Sequence, residues 1–409
     1  MRSTPLRPSH PMPRRHALLS LGALAAAAAT PALLTACGGG GDAGAPTGGT
    51  ATPLAFMHGP IVGLGSIIVG GVRIDDSRAR VEDDEDGSTH SRSELRLGMV
   101  VEVQASSIND AAATAVAALI RFGAEMKGPV ASIDAAAQTI RVLDQTVEIR
   151  PETVFDPSAT GGFAAIALGQ ILEIHALFDA ATGRYIATRV EREDGANEYR
   201  LRGLISRLDT TAKTFAIGDA VINYGEVPAA ELPSLGNGQR VRVRLKTAQV
   251  NGQWIATRVR SGVRRVDDVS DARVRGLVTA VTSPQAFAVN GIPVDASGAV
   301  FEPNAAAVAL GAMVEVRGRA AAGTIVASRV KVIDVRSDDF RRVELHGAVS
   351  ALDTAAKTFM LREIAVNYSR VIEYKDGREA DLANGRAVEV KGIWSEDRRV
   401  LFAAVIEFE

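Results

Sequence analysis

An acidic run at residues 82–86 is the stretch of this sequence best able to bind a metal ion. Glu82, Asp84 and Asp86 alternate in it, which is the spacing of the first half of a calcium-binding loop. The bidentate glutamate that completes such a loop would fall at position 93, which is Ser93. We interpret the run chiefly as a solvated acidic loop, with weak calcium or magnesium binding by the three carboxylates as the alternative.

A basic strand is the second candidate site. Arg240, Arg242 and Arg244 alternate with apolar residues, so their side chains share one strand face. Tyr224 and Trp254 lie close to this strand within the same repeat unit. On a small barrel of the OB type, a basic face with aromatic rings can bind single strands or oligosaccharides. These five residues are a possible ligand face, and an ordinary solvated strand is the alternative.

The distribution of charge limits the partners of that face. Residues 198–271, which contain the basic strand, hold 12 Lys and Arg against 8 Asp and Glu, whereas residues 58–124 hold 6 against 10. The whole chain has a formal net charge of −2, which does not indicate a general nucleic-acid partner. The occupants expected for the face are an anionic glycan, a lipid headgroup or the acidic segment 58–124.

The other residues with catalytic potential form no recognisable constellation. His58 and His346 occupy one repeat position that is a Lys or Arg in the other repeats, which indicates a charged strand end rather than a metal ligand. His175 ends a predicted strand without a second ligand nearby, and His90 lies in a predicted loop. The sequence has no Gly-x-Ser-x-Gly turn, no dinucleotide fingerprint and no recurring carboxylate pair. We expect neither an enzyme nor a bound cofactor.

The only cysteine, Cys37, follows what resembles a bacterial export signal. Residues 1–16 are basic and contain the pair Arg14-Arg15, and residues 17–36 are almost wholly Ala and Leu. The twin arginine resembles the signal for export of folded proteins, although the usual Phe-Leu-Lys continuation is absent. Leu34-Thr-Ala-Cys37 resembles a lipobox, in which the cysteine becomes the lipidated first residue. An uncleaved transmembrane segment is the alternative.

These features predict an exported protein that is lipid-anchored in the cell envelope. Gly38 follows the cysteine, which by resemblance to enterobacterial sorting favours the outer membrane, facing the periplasm or the surface. Its expected partners are the membrane, through the anchor, and an unknown envelope protein or glycan. Nucleic acid is not expected.

Two glycine positions recur along the rest of the chain. One opens a short apolar alternation, at Gly98, Gly169, Gly238, Gly311 and Gly385. The other lies upstream of it, at Gly59, Gly128, Gly203, Gly276 and Gly347. Both series advance by 69 to 75 residues per step, which indicates tandem duplication of one unit.

Each repeat is predicted to be a small all-β barrel. The third repeat has the clearest strands, at residues 200–208, 215–217, 221–224, 241–245 and 254–259. A Pro- and Ala-rich connection at residues 227–235, long enough for a short helix, precedes the fourth strand. This is the strand order of an OB-like barrel, whose closure removes most sheet edges. SH3-like barrels or a meander sandwich are the alternatives.

The first repeat carries a family resemblance. Its opening, Gly63-Leu-Gly-Ser-Ile-Ile-Val-Gly-Gly-Val-Arg-Ile-Asp75, and its later stretch, Leu95-Arg-Leu-Gly98-Met-Val-Val-Glu-Val103, resemble the bacterial domain-of-unknown-function family 5666, DUF5666. The resemblance covers most of residues 59–409 and is strongest in this repeat. It implies repeated small β-domains in an exported lipoprotein, and it implies no activity or catalytic residue.

The sequence therefore divides into a signal, a tether and five OB-like repeats. The predicted divisions are a signal peptide at 1–36, a flexible tether at 37–57, and repeats at 58–124, 125–197, 198–271, 272–341 and 342–409. Arg- and Asp-rich joins between repeats lead us to expect separate beads with modest interfaces. The predicted role is non-catalytic binding or scaffolding, and the alternative is a carrier or receptor for an anionic glycan or a divalent cation.

Replacement of Cys37 tests the predicted anchor. Because the thiol of this cysteine is the predicted site of acylation, Cys37→Ala should abolish metabolic labelling with palmitate and globomycin-sensitive processing. The natural chain, expressed in parallel, should show both. Persistence of the label in the variant would contradict the lipoprotein prediction.

Overall fold

The structure is all-β. It is a computed structural model that describes residues 54–156, 161–262, 266–333, 342–395 and 400–409. Its regular elements are β-strands and short 3-10 helices, so the all-β prediction is confirmed. Within these ranges, no helix has the length and hydropathy needed to cross a bilayer. The predicted signal peptide, with Arg14 and Arg15, lies outside the described residues, as does Cys37.

The strands fall into five successive segments, which we label I to V. Segment I contains β1 (Ala55–Pro60), β2 (Ile67–Val69), β3 (Val72–Asp75), β4 (Arg80–Asp83), β5 (Thr89–His90), β6 (Val100–Ala105) and β7 (Thr114–Phe122). Segment II contains β8 (Met126–Asp134), β9 (Thr139–Val142), β10 (Gln145–Glu148), β11 (Val154–Phe155), β12 (Ile171–Asp179) and β13 (Arg184–Glu193). Segment III contains β14 (Tyr199–Asp209), β15 (Thr214–Ile217), β16 (Ala220–Asn223), β17 (Arg240–Val250) and β18 (Gln253–Ser261).

The last two segments repeat this order. Segment IV contains β19 (Val269–Ser283), β20 (Ala286–Val289), β21 (Ile292–Asp295), β22 (Val300–Glu302), β23 (Met313–Ala321) and β24 (Thr324–Val332). Segment V contains β25 (Arg342–Asp353), β26 (Thr358–Leu361), β27 (Ile364–Asn367), β28 (Glu373–Lys375), β29 (Ala387–Trp394) and β30 (Val400–Phe408). The short helices span Arg92–Glu94, Gly162–Ala165, Ala229–Glu231, Ala305–Ala307 and Glu379–Asp381, in the connection where a short helix was predicted.

Small five-stranded barrels recur along the chain. In segment III, β14 pairs with β15, β15 with β16, β16 in parallel with β18, β18 with β17, and β17 with β14. The fourth main strand thus returns beside the first, which is the Greek-key order of an OB-like barrel rather than a meander. Val241, Val243 and Leu245 alternate into the barrel core, as the sequence predicted. Segments II, IV and V have the same circuit.

In segment I the same circuit is nearly complete. β1 pairs with β6, β6 with β7, β7 with β3, and β3 with β2. The join between the first and second strands is an isolated bridge between Gly63 and Ile68. β1 begins at Ala55, so the last residues of the predicted tether, 55–57, belong to a buried strand.

The prediction of separate beads is wrong. β1 of segment I pairs in parallel with β19 of segment IV, from Ala55 with Asp271 to His58 with Val274. β8 of segment II pairs with β14 of segment III. One buried apolar cluster includes residues of segments I and V, and another includes residues of segments II and III. The described residues from 54 onward therefore form one body, because several barrels share sheets and cores.

The recurrent glycines serve two structural purposes. The glycine before the fourth main strand has a φ between 76° and 86° in all five segments, a left-handed turn that side chains with a Cβ rarely adopt. At Gly203, on the first strand of segment III, an added Cβ would lie 2.3 Å from Ile217 Cγ2. Turn geometry thus explains the first series, and close packing explains Gly128, Gly203 and Gly276 of the other, whereas a Cβ at Gly347 would make ordinary contacts.

Candidate functional site

The arginines of the predicted ligand face contact carboxylates of segments I and II. Arg240 Nη2 lies 2.6 Å from Glu125 Oε2, and Arg242 Nη1 lies 3.4 Å from Asp84 Oδ1. Arg244 Nε lies 3.1 Å from Glu85 Oε1. The alternation on β17 directs all three guanidinium groups outward from their own barrel. There Arg242 and Arg244 meet the acidic loop of segment I, and Arg240 meets Glu125.

The acidic loop is held in place by its own backbone. Asp83 Oδ1 accepts a hydrogen bond from the Glu85 N–H at 2.6 Å, and the Gly87 N–H donates to the Asp83 carbonyl at 3.0 Å. The Asp84 N–H donates to the Phe122 carbonyl at 2.8 Å. Burial raises the pKa of Asp83. Glu82 and Glu85 of the loop are buried and Asp86 is exposed, so the loop is only partly solvated.

The three carboxylates of the predicted cation site are directed to different partners. Glu82 pairs with Arg121 of its own barrel at 3.2 Å. Asp84 pairs with Arg202 at 2.5 Å as well as with Arg242, and Asp86 pairs with Arg244 at 3.4 Å. The structure does not bring these carboxylates together around one point.

The aromatic residues of the predicted ligand face are buried. Trp254 is 7% exposed, and its Nε1–H donates to Asp144 Oδ2 of segment II at 2.8 Å. Tyr224 is stacked on Phe215, with ring centroids 5.6 Å apart, inside the barrel. The five residues therefore do not form one open basic and aromatic surface, because the rings face the core and the arginines face carboxylates of segments I and II. The acidic segment, one of the three expected occupants, is what lies against the arginines.

Two of the histidines join segments through hydrogen bonds. His58 is fully buried; its Nδ1 lies 2.9 Å from the Val101 carbonyl and its Nε2 lies 3.0 Å from Asn290 Nδ2 of segment IV. The Nε2 atom of His346 in segment V lies 3.1 Å from the Nη1 atom of Arg73 in segment I. The His90 Nδ1 atom lies 2.8 Å from Glu94 within segment I.

His346 also belongs to a group with the composition of a metal site. Among the described residues, Glu344, His346 and Glu389 are the one such group with ligand atoms within 4.8 Å of one another. The guanidinium group of Arg73 lies among them, 3.2 Å from Glu389 Oε1 and in contact with Glu344. A cationic side chain thus already balances these carboxylates, and it ties segment I to segment V.

Arg189 is a central residue whose partners the sequence reasoning missed. It is fully buried, and its two Nη atoms lie 3.1 Å from the two carboxylate oxygens of Glu363 in segment V. Its Nη1 also donates to the Leu97 carbonyl of segment I at 3.2 Å, and it contacts Glu191 of its own strand. It belongs to the repeated stretch Ile186-Ala-Thr-Arg-Val190, but nothing in that stretch distinguishes it from its counterparts.

His175 is buried without a hydrogen-bond partner. The bulge in β12 places it opposite Arg189, and neither ring nitrogen has a partner. Burial lowers the pKa of His175 to about 4, against the opposing influence of Glu191. The ring is therefore neutral in the folded protein at neutral pH, which corrects its assignment to a strand end: it lies inside β12.

An apolar cavity lies where four segments meet. Its solvent-accessible volume is about 120 Å³, and segments I, II, IV and V all contribute to its lining. Its buried apolar residues include Leu97, Leu177, Ile186 and Trp394. Proteins bind small molecules mainly in cavities with apolar walls and a few polar groups, and this cavity has that character although it is smaller than most ligand pockets. The sequence could not indicate this cavity, because its walls come from four separate segments.

The cavity carries few polar groups. Its polar lining residues are partly exposed and lie on the side nearest to solvent. They are Arg150, Glu152, Thr188 and Arg275. The Thr188 Oγ1 atom is buried and has no hydrogen-bond partner. A buried hydroxyl without a partner carries a free-energy cost that a bound acceptor or donor would relieve.

Charge reversal at Arg242 tests the contact between segments I and III. Arg242→Glu should lower the stability to urea by roughly 3 kcal/mol, because Asp84 would then face a carboxylate in a partly buried site. Lys246→Glu, at the exposed pair with Glu226, is the control and should change stability little. Equal effects of the Arg242 and Lys246 changes would contradict the contact.

The buried, neutral ring of His175 leads us to expect that the folded protein loses stability as the pH is lowered. Its pKa of about 4 in the folded protein lies below the ordinary value of 6.5, so the unfolded chain binds a proton more readily. The free energy of unfolding therefore has its full value above pH 6.5. It decreases by about 3 kcal/mol as the pH drops from 6.5 toward 4. His175→Leu should flatten this loss in urea titrations at successive pH values, and His90→Gln should not. Identical pH profiles for His175→Leu and the natural chain would contradict the prediction.

Comparisons with known proteins support the repeat and leave its activity open. A search of curated proteins finds no match. The chain is similar to the solved structure "drosophila Unr CSD456", with 16% identity over 50% of this chain and 96% of that one. The TM-score is 0.17, so the fold assignment rests on the strand pairing described above.

A family model is matched in three places. The model of DUF5666, a domain of unknown function, matches residues 127–191, 275–331 and 346–407, which lie in segments II, IV and V. The expectation that the first repeat resembles the family most is not supported, because that repeat is outside the matches. Three segments of the chain thus match DUF5666, a family of domains of unknown function.

Proposed function

We propose that this protein is an exported, lipid-anchored component of the cell envelope with a non-catalytic binding role. The basic pair Arg14-Arg15, the apolar stretch at 17–36 and Cys37 support the export and the anchor. The residues between Cys37 and Leu54 would tether the folded body to the outer membrane, on its periplasmic or outer side.

We also propose that the body consists of five OB-like modules at residues 58–124, 125–197, 198–271, 272–341 and 342–409. The recurring strand circuit and the left-handed glycine before each fourth main strand support this count. Because the modules share sheets and cores, they would act as one scaffold rather than as independent beads.

The shared apolar cavity is the observation that carries the binding role. Side chains from four segments converge on it, and each segment alone supplies only part of its wall. A binding site of this kind depends on the assembled body. Because the site exists only when the segments are assembled, the desolvated charge pairs that hold the segments together would also preserve the site.

The two alternatives are a carrier of an anionic glycan and a carrier of a divalent cation. A glycan bound at Arg242 or Arg244 would have to displace Asp84 or Glu85. A cation bound at Glu344 and His346 would have to displace Arg73. Both alternatives require the body to loosen, whereas the cavity requires no displaced side chain.

Obstruction of the cavity tests the proposed binding role. The full-length Cys37→Ala chain should bind the neutral apolar dye N-phenyl-1-naphthylamine saturably, with one site per chain. Val154→Phe, which adds a ring at the cavity wall, should weaken this binding about tenfold or more. Fluorescence titration of both proteins measures the change.

The control variant comes from the equivalent strand of another segment. Val300 pairs with Arg329 as Val154 pairs with Arg189, but Val300 is 65% exposed. Val300→Phe should leave dye binding unchanged. Non-saturable dye binding, or equal affinity in the Val154→Phe variant, would show that the cavity is not a binding site.

A further inference from the structure

We infer that segment V carries a docking surface for a second copy of this chain. The surface consists of Ile372, Ile393 and Phe402, and we call it the segment V patch. Its partner on the second copy is an exposed apolar corner of segment II. The contact does not depend on the shared cavity, and it adds self-association to the proposed role of the protein.

The segment V patch is apolar and open to solvent. Ile372 is 84% exposed, Ile393 is 49% exposed and Phe402 is partly exposed. Ile393 and Phe402 lie directly opposite each other on β29 and β30, so their side chains share one face of the sheet. The Ile372 N–H donates to the Ala404 carbonyl at 2.9 Å, which places Ile372 beside the same strand. Single exposed apolar residues are common, whereas contiguous ones mark an interaction surface.

The same repeat positions of segment II form a covered interface. Leu177 and Ile186 correspond to Ile393 and Phe402, because each pair lies directly opposite across the last two strands, just beyond the bulge in the fourth main strand. Leu177 and Ile186 are nearly inaccessible to solvent, and they pack against apolar residues of segments I and IV. Segment V therefore has the apolar residues of this interface, but it leaves them exposed.

The residue type at one of these positions distinguishes segments II and V from the other three. Eight residues after the glycine that opens the fourth main strand, the five segments carry Ser106, Leu177, Lys246, Arg319 and Ile393. The three polar residues are exposed, as is usual on a strand face that meets water. The leucine of segment II is covered by other barrels. The isoleucine of segment V has the same character and is suited to the same kind of contact.

The interface of segment II shows what such a patch binds. It is covered by the corners of two barrels, where the first and fourth main strands lie side by side. In segment IV the corner residues are Leu277 and Met313, which are paired across β19 and β23 and pack on the segment II residues. In segment I, Val100 packs there, and Leu97 is nearly inaccessible at the same junction. The partner of an apolar patch in this protein is thus the apolar corner of another barrel.

Segment II itself has an apolar corner that is open to solvent. Pro129 and Ile171 are paired there as the corner residues of segment IV are, and both are partly exposed. Leu168, directly before the glycine of the fourth main strand, is 68% exposed. Segments III and V have the polar residues Asn237 and Asn384 in its place. The corner of segment II therefore has the composition that the segment V patch requires.

The contact joins two different surfaces, so each copy would use its patch on one neighbour and its corner on another. Both surfaces are exposed within a single chain, which means that no element has to move before a second copy binds. Interfaces of this heterologous kind produce rings when the rotation between copies closes and filaments when it does not.

Sedimentation velocity of the full-length Cys37→Ala chain at increasing concentration tests the contact. Ile393→Arg introduces the residue type of the same position in segment IV, and Leu168→Asn introduces that of segments III and V. Each change should raise the dissociation constant for self-association about tenfold or more, because a polar group would have to be desolvated at the centre of the contact. Val250→Arg, at a half-exposed aliphatic residue on β17, is the control and should leave the dissociation constant unchanged.

A mixture of the two variants identifies which surfaces meet. The Ile393→Arg chain keeps the corner and the Leu168→Asn chain keeps the patch, so an equimolar mixture should form dimers although each variant alone associates only weakly. Contact between two segment V patches would leave the Leu168→Asn chain fully associated, and this result would overturn the assigned partner. A natural-sequence body that stays monomeric, association unchanged in both variants, or an equal loss in the Val250→Arg chain would overturn the inference. The three substitutions are at exposed positions, so each variant should unfold in urea as its parent does.

Discussion

The free edge of each first strand is the constraint on which the rest of this structure depends. In a barrel such as segment III, the C-terminal half of β14 pairs with β15, while its N-terminal half pairs only with β17 on one side. Without a further strand, the other edge of that half would expose unpaired backbone N–H and C=O groups, which can pair with a neighbouring strand. β8 fills this edge in segment III, and β1 and β19 fill each other's edges in segments I and IV. Segments I and IV, and segments II and III, are therefore joined by their own backbones before any side chain is considered.

Charge pairs then fix which barrels meet. Glu125 is nearly inaccessible and lies against both Arg202 and Arg240, and Arg189 holds Glu363 in a bidentate pair. Ion pairs with this little exposure contribute modestly to net stability, but a wrong partner would leave a desolvated charge unpaired at a cost of several kcal/mol. They therefore select one arrangement of similar barrels over others. We interpret this selection as their main role.

The same repeated sequence has different roles in different segments. Arg189, Arg258 and Arg329 occupy one position of the repeat, yet Arg189 is fully buried at a junction, Arg258 is partly exposed and Arg329 is half exposed beside Glu302. Only segment II, through its place in the body, puts this arginine beside segments I and V. The cavity has the same origin: it is a space between barrels, and no barrel contains it alone. A function located there would belong to the assembly, which agrees with a family of small domains whose activity is not known.

The sequence by itself determined the all-β class, the repeat, the strand order and the location of the turns. These features depend on local causes: alternation on strands such as β17, a left-handed glycine such as Gly238, and duplication that repeats both. It also identified the two oppositely charged stretches, and it named the acidic segment as one possible occupant of the arginine strand. Only the tertiary structure decided that Arg242 and Arg244 face the acidic loop, that Trp254 and Tyr224 are buried, and that Thr188 lines a shared cavity. The physical reason is that contacts between barrels join residues far apart in the sequence, from 72 positions for Gln145 and Ile217 to 316 for Arg73 and Glu389. Nothing local in similar repeats specifies which of them become neighbours.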